Sequence, residues 1–140
     1  MAISLNHTIV VAHDKAKAAT FLTEMLGLPP PMPAGHFAVV RVGETSLDFV
    51  ATDAAIEPRH FAFLVSEAEF DAIFQRIRKR RLPYWADPFR REPNSINTYD
   101  DGRGLYFDDP NGHLLEIITR PYGSGGSGAK NPNPLFFARG

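Results

Sequence analysis

The order of apolar and polar positions along the chain predicts one plan used twice. Ile3 to Ala12 alternates loosely and is rich in β-branched side chains (Ile3, Thr8, Ile9, Val10, Val11), which reads as a strand. Asp14 stands where a helix N-cap belongs. Phe21, Leu22, Met25 and Leu26 then recur at helical spacing, and Gly27 supplies a left-handed stop. Pro29 to Pro33 cannot continue that helix and must be extended or looped. Two strand patterns follow, Phe37 to Val42 and Ser46 to Ala51, with Gly43-Glu44 as the hairpin turn.

The second half restates this order. Arg59 to Val65 is a strand pattern, and Ser66 with Glu69 three positions later forms a capping box. Phe70, Ile73, Phe74 and Ile77 make the apolar stripe of the helix behind it. Arg76 and the run Arg78 to Arg81 close that helix, where cations suit the C-terminal end of the macrodipole and solvate its outer face. After Pro83 come strands around Gly104 to Phe107 and His113 to Thr119, joined by Asp108-Asp109-Pro110-Asn111-Gly112. His7 and His60 lie 53 positions apart, as do Phe21 and Phe74, while Leu47-Asp48-Phe49 and Leu115-Glu116-Ile117 are offset by 68. The 15 extra residues fall between Trp85 and Gly102 and predict a loop over the site. Two copies of this length indicate a duplication rather than a solenoid.

Composition narrows the function. With 140 residues, one domain is expected: residues 1–122, with module one at about 3–52 and module two at about 58–120. The stretch 123–140 opens on Gly123-Ser-Gly-Gly-Ser-Gly128, whose composition predicts a flexible linker and tail. The absence of cysteine excludes disulfides, thiolate metal sites and cysteine nucleophiles. A net charge of -1 gives no basis for a nucleic-acid partner. No apolar run approaches the roughly 20 residues that span a bilayer, and the first residues lack the marks of a signal peptide. The expectation is a cytoplasmic protein with a small-molecule substrate.

Candidate chemistry rests on the repeat. His7 and His60 open equivalent strands, and Glu116 lies on the closing strand of module two. Two imidazoles and one carboxylate suit a divalent metal and leave positions free for substrate and for oxygen or water.

Three segments carry a family resemblance: His7-Thr-Ile-Val, Arg59-His60-Phe-Ala-Phe-Leu-Val, and Gly104-Leu-Tyr-Phe-Asp-Asp-Pro-Asn-Gly-His-Leu-Leu-Glu116. Together they resemble the vicinal oxygen chelate superfamily of glyoxalases, bleomycin-resistance proteins, fosfomycin-resistance thiol transferases and extradiol dioxygenases. The resemblance covers about residues 3–120. It implies an α+β fold of two βαβββ modules forming a curved mixed sheet around a central metal cavity. It also implies His7, His60 and Glu116 as ligands of a divalent ion (Fe, or Ni, Zn or Mn), a substrate chelated through vicinal oxygens, and a homodimer.

Within the family, features point to different branches. Asp48 occupies the repeat position of Glu116, where glyoxalases carry a further carboxylate ligand. One methylene shorter than glutamate, it is a candidate general base or polar wall, which keeps a lyase or isomerase open. Tyr106, four residues before Pro110, resembles the tyrosine that binds substrate oxygens in extradiol dioxygenases, the branch slightly favoured here. His13, His36 and His113 are candidates for a further acid/base. Arg41, Arg90, Arg91 and Arg103 are candidates for a phosphonate pocket, whereas Trp85, Phe89 and Tyr99 suit an aromatic substrate. A non-enzymatic protein sequestering a toxic compound is the competing class.

Overall fold

The computed structural model describes residues 2–136. The chain divides into two compact units: unit 1 runs to Pro58 and adds Asp109–Gly112, and unit 2 takes Arg59–Asp108 and the chain from His113 onward.

In unit 1, strand β1 (His7–Ala12) leads into helix α1 (Lys15–Leu26), followed by β2 (Met32–Ala34), β3 (Phe37–Val42) and β4 (Thr45–Ala51). The Asp14 side chain accepts the Lys17 N–H at the start of α1, and Gly27 ends the helix at φ 71°. The sheet order is β1-β4-β3-β2, with β1 and β4 parallel and the rest antiparallel. Period-two alternation turns Val10 and Ala12 of β1 inward and leaves His7, Ile9 and Val11 exposed. Ala18, Ala19, Leu22 and Met25 of α1 are buried, as are Val40 and Phe49 of the sheet, and α1 packs on β1, β3 and β4. The proline run, expected to be extended or looped, contributes a short edge strand. Pro33 is tolerated in β2 because that strand has a neighbour on one side only.

Unit 2 repeats the plan with β5 (His60–Leu64), α2 (Glu67–Lys79), β6 (Tyr84–Trp85), a 3₁₀ turn at Tyr99–Asp101, β7 (Gly104–Asp108) and β8 (Leu114–Ile118). Both halves of the Ser66/Glu69 capping box are formed. Phe70, Ile73 and Ile77 of α2 are buried at 1% exposure or less, and Leu105, Phe107, Leu115 and Ile117 are buried from the sheet. The order is β5-β8-β7-β6, again with the β5–β8 pair parallel. Each unit is therefore a four-stranded mixed sheet with one helix, the α+β arrangement of two βαβββ modules. Among the described residues no helix is long and apolar enough to cross a membrane.

The segment read from composition as a flexible linker has specific partners. The Asp100 carboxylate accepts the N–H groups of Gly123 (2.9 Å) and Gly125 (3.1 Å), and the Asp101 carboxylate accepts those of Lys130 and Asn131 (3.0 Å each). Residues 137–140 of that tail lie outside the described part of the chain.

Candidate metal centre

The sheet register of unit 2 builds the centre. Side chains alternate between faces, so Leu105, Phe107, Leu115 and Ile117 share one face while Glu116 and Tyr106 share the other. Across the strands Ala62, Glu116, Tyr106 and Trp85 stand in one row, because Ala62 pairs with Glu116, Glu116 with Tyr106, and Tyr106 with Trp85. His60, two residues before Ala62, projects from the same face beside that row. Its Nε2 lies 3.0 Å from Glu116 Oε1. The His60 and Tyr106 rings stack with centroids 5.9 Å apart.

Glu116 is only 4% exposed, and a buried carboxylate requires compensation. It takes the His60 ring at one oxygen and the Tyr106 hydroxyl as a second partner. Burial first, and then the Glu116 carboxylate, drive the Tyr106 phenol far above its ordinary range, so Tyr106 is a neutral donor. His60 is raised above its ordinary value, chiefly by the hydrogen bond to Glu116 and against the opposing effect of burial.

The donor set suits a cation. His60 Nδ1 is 3.0 Å from the Leu114 carbonyl oxygen, an acceptor only, so Nδ1 carries a proton. In the neutral ring Nε2 is then a lone pair facing a carboxylate oxygen, an arrangement that needs a proton or a metal ion between them. An imidazole whose far nitrogen is held by a backbone carbonyl is also the usual form of a histidine ligand.

The equivalent frame in unit 1 is built differently. His7 pairs in register with Ser46, and Asp48 stands opposite Ile9, just as Glu116 stands opposite Ala62. The shorter Asp48 side chain accepts the Ser46 hydroxyl at 3.1 Å, and the His7 ring bonds the Asn6 side chain at 2.7 Å. Among the described residues no group of three or more His, Asp or Glu side chains is gathered for a metal. The structure thus joins His60, Glu116 and Tyr106 within unit 2, while His7 and Asp48 belong to unit 1.

Other candidates have structural work. His113 is 1% exposed, and its Nδ1 accepts the Arg59 N–H at 3.0 Å, fixing the start of β5. His13 bonds the Thr52 carbonyl. Arg103 is committed to Glu67 and Asp71, and Arg90 to Asp108, so neither is held for a phosphonate.

Beside the centre, unit 2 contains a cavity of about 440 Å³, within the range of small-molecule sites. Tyr106 joins it to the His60–Glu116 pair. Phe89, Tyr99 and Tyr122 give it aromatic walls. Phe89 and Tyr99 lie in the loop that the sequence predicts over the site. No local pattern marks Tyr122, or Asp87, whose buried carboxylate accepts the N–H groups of Phe89, Arg91 and Glu92 and shapes that loop.

The two βαβββ units each carry a histidine and a carboxylate at matching strand positions, the mark of a duplicated α+β class. The chain belongs to the Glyoxalase/Bleomycin resistance protein/Dioxygenase superfamily, whose family model matches residues 4–117. It is 28% identical over 121 residues to a glutathione transferase, FosA, of Serratia marcescens, covering 81% of this chain and 79% of that one. Among solved structures it is similar to oxidase ChaP-H2, with TM-score 0.87 and 57% identity over 90% of this chain and 100% of that one. It is likewise similar to oxidase ChaP-H1, with TM-score 0.86 and 55% identity over 87% and 99%.

Proposed function

We propose that the protein is a divalent-metal-dependent, oxygen-using enzyme of this superfamily, of the extradiol-dioxygenase or oxidase type. Its substrate is an aromatic compound with two adjacent oxygens, and its metal ligands are His7, His60 and Glu116. The observation that carries the reading is the His60–Glu116 pair, with Nδ1 tied to a backbone carbonyl and Nε2 facing a carboxylate beside an aromatic cavity. Identity of 55–57% to two solved oxidases supports the oxygen branch.

A divalent ion bound there supplies charge to hold vicinal substrate oxygens and, if it is iron, a route for O₂. The rest is work for the chain. The Leu114 carbonyl fixes the tautomer of His60, and Glu116 offsets charge. Tyr106, neutral throughout the working pH range, donates a hydrogen bond to a substrate oxyanion. The Phe89 and Tyr99 rings hold the substrate's aromatic face and exclude water. A homodimer is part of this reading and is read by light scattering on purified protein.

A second reading, a lyase or transferase that uses the metal as Lewis acid, draws on Asp48, a carboxylate at the repeat position of Glu116 that can handle a proton. The glutathione transferase relative favours it.

Elemental mass spectrometry on protein purified anaerobically without chelator tests both, followed by oxygen-electrode assays with catechol and 2,3-dihydroxynaphthalene. Iron that is lost in His7→Ala and His60→Ala, with O₂ taken up on adding a diphenol, is the expected result. Nickel, zinc or manganese without O₂ uptake selects the second reading. Diphenol binding that is indifferent to chelator overturns both in favour of a binding protein.

A further inference from the structure

The C-terminal segment 122–136 has no helix or strand, and its glycines look like those of a linker. Its contacts are those of a docked strap. Asp100 is 2% exposed, and both Asp100 and Asp101 sit at φ 59°, a left-handed conformation that non-glycine residues hold only where the surroundings compensate its strain. That conformation lets two consecutive carboxylates receive four backbone N–H groups of the strap, from Gly123, Gly125, Lys130 and Asn131. The Asp100 N–H donates in turn to the Asn131 carbonyl (2.8 Å), and the Asn131 amide donates to the Thr98 hydroxyl (3.0 Å).

Gly123 and Gly125 are required by this docking. A Cβ on Gly125 would lie 2.8 Å from the Asp100 Cα, where nothing can yield, and one on Gly123 would lie 2.9 Å from the Phe136 ring. The strap closes on itself through the edge-on Tyr122–Phe136 contact, with centroids 5.1 Å apart. So held, it presents Tyr122, Asn133, Pro134 and Leu135 to the cavity that Tyr106 shares with the His60–Glu116 pair. Leu135 is 69% exposed and Tyr122 51% exposed, so these side chains have more surface to offer a ligand than they spend on the protein.

We infer that residues 122–136 form the outer wall of the substrate cavity and set the size of aromatic ring system that it accepts, with Asp100 and Asp101 as the positioning residues that hold the wall in place. The inference rests on the aromatic-diphenol reading of the site. A single-ring diphenol reaches the metal and Tyr106 without the strap, whereas a fused polycyclic one must extend along Phe89 and Tyr99 toward Tyr122 and Leu135. The strap therefore discriminates by length of the ring system rather than by its diphenol end.

The test compares catechol, with one ring, and alizarin, a three-ring diphenol, on the metal-loaded full chain by calorimetry under anaerobic conditions. Gly125→Val drives a side chain into the Asp100 backbone and releases the strap. Leu135→Trp leaves it docked but fills the cavity. Release is checked by hydrogen exchange at 123–131, and metal content by elemental analysis. Loss of one or two aromatic and apolar contacts predicts alizarin binding weakened about tenfold in Gly125→Val, with catechol changed by less than about threefold. Leu135→Trp is expected to weaken alizarin selectively as well. Alizarin affinity within about twofold of the unmodified chain in both variants, with the strap shown released in Gly125→Val, overturns the inference alone. Failure of the metal-loaded, unmodified chain to bind either diphenol overturns the reading of the site and the inference with it.

Discussion

Replacing Glu116 with glutamine separates what the carboxylate does for the fold from what it does for a metal. The change keeps the shape and removes the charge. In the metal-free Glu116→Gln variant the new amide oxygen can accept the Tyr106 hydroxyl. The amide N–H can donate to His60 Nε2, since the proton of that ring is held on Nδ1 by the Leu114 carbonyl. Each of the three side chains thus keeps a partner. The cost is exchanging hydrogen bonds to a charged group, worth about 1.5–3 kcal/mol each, for neutral ones near 1 kcal/mol. The gain is that a side chain only 4% exposed no longer keeps a carboxylate out of water, a penalty of several kcal/mol. The two nearly cancel, and the metal-free variant is expected to be between unchanged and about 2 kcal/mol more stable in urea unfolding at neutral pH. The same variant is expected to lose its metal, because a neutral amide neither offsets the ion's charge nor binds it comparably. The assay pairs urea titrations of chelator-treated protein with elemental analysis of protein purified without chelator. Destabilisation of more than about 2 kcal/mol would refute the pairing scheme, and full metal retention would refute the ligand role.

Three further outcomes follow from other parts of the chain. His60→Ala is expected to abolish metal retention and Asp48→Asn to leave it in place, since Asp48 bonds Ser46; elemental analysis of both folded variants decides. Phe107→Ala, emptying a fully buried position of unit 2, should cost about 3–5 kcal/mol in urea unfolding. Glu69 is held below the ordinary carboxylate range by accepting the Ser66 N–H in the capping box. A lowered folded-state value means stability that is present above about pH 4.5 and lost as pH falls through the folded value. The melting-temperature gap between the unmodified chain and Glu69→Ala should therefore be widest near neutrality and narrow in acid; a gap that widens in acid contradicts the capping role.

Much of this architecture was legible in the sequence because it is local. Asp14 and Gly27 bracket α1, and the Ser66/Glu69 pair opens α2, because caps act within four residues. The union of His60 with Glu116 was legible through the duplication and the family resemblance together. What escaped is non-local or short. β6 is two residues long, too short for alternation to register, and β2 is masked by its prolines. Docking of the strap depends on Asp100 and Asp101 reaching residues 23 to 30 positions away, and composition carries no signal for such a reach. The adjacent Asp100-Asp101-Gly102 was the available clue, since aspartate is enriched in the left-handed region.

Strand β8 lies between β5 and β7, and only its insertion brings Glu116 to both His60, 56 residues away in sequence, and Tyr106. Helices and hairpins, the β7–β8 hairpin among them, can form from near neighbours, but the parallel pairing of β8 with β5 closes the longest loop of the sheet and so falls among the slow steps of folding. A chain still waiting for β8, or one that has docked it a residue out of step and turned Glu116 to the helix face, has no paired ligands to offer. On the proposed reading, metal uptake would therefore follow the seating of β8 against β5, and a bound ion would stabilise only those molecules whose central strand is already in place.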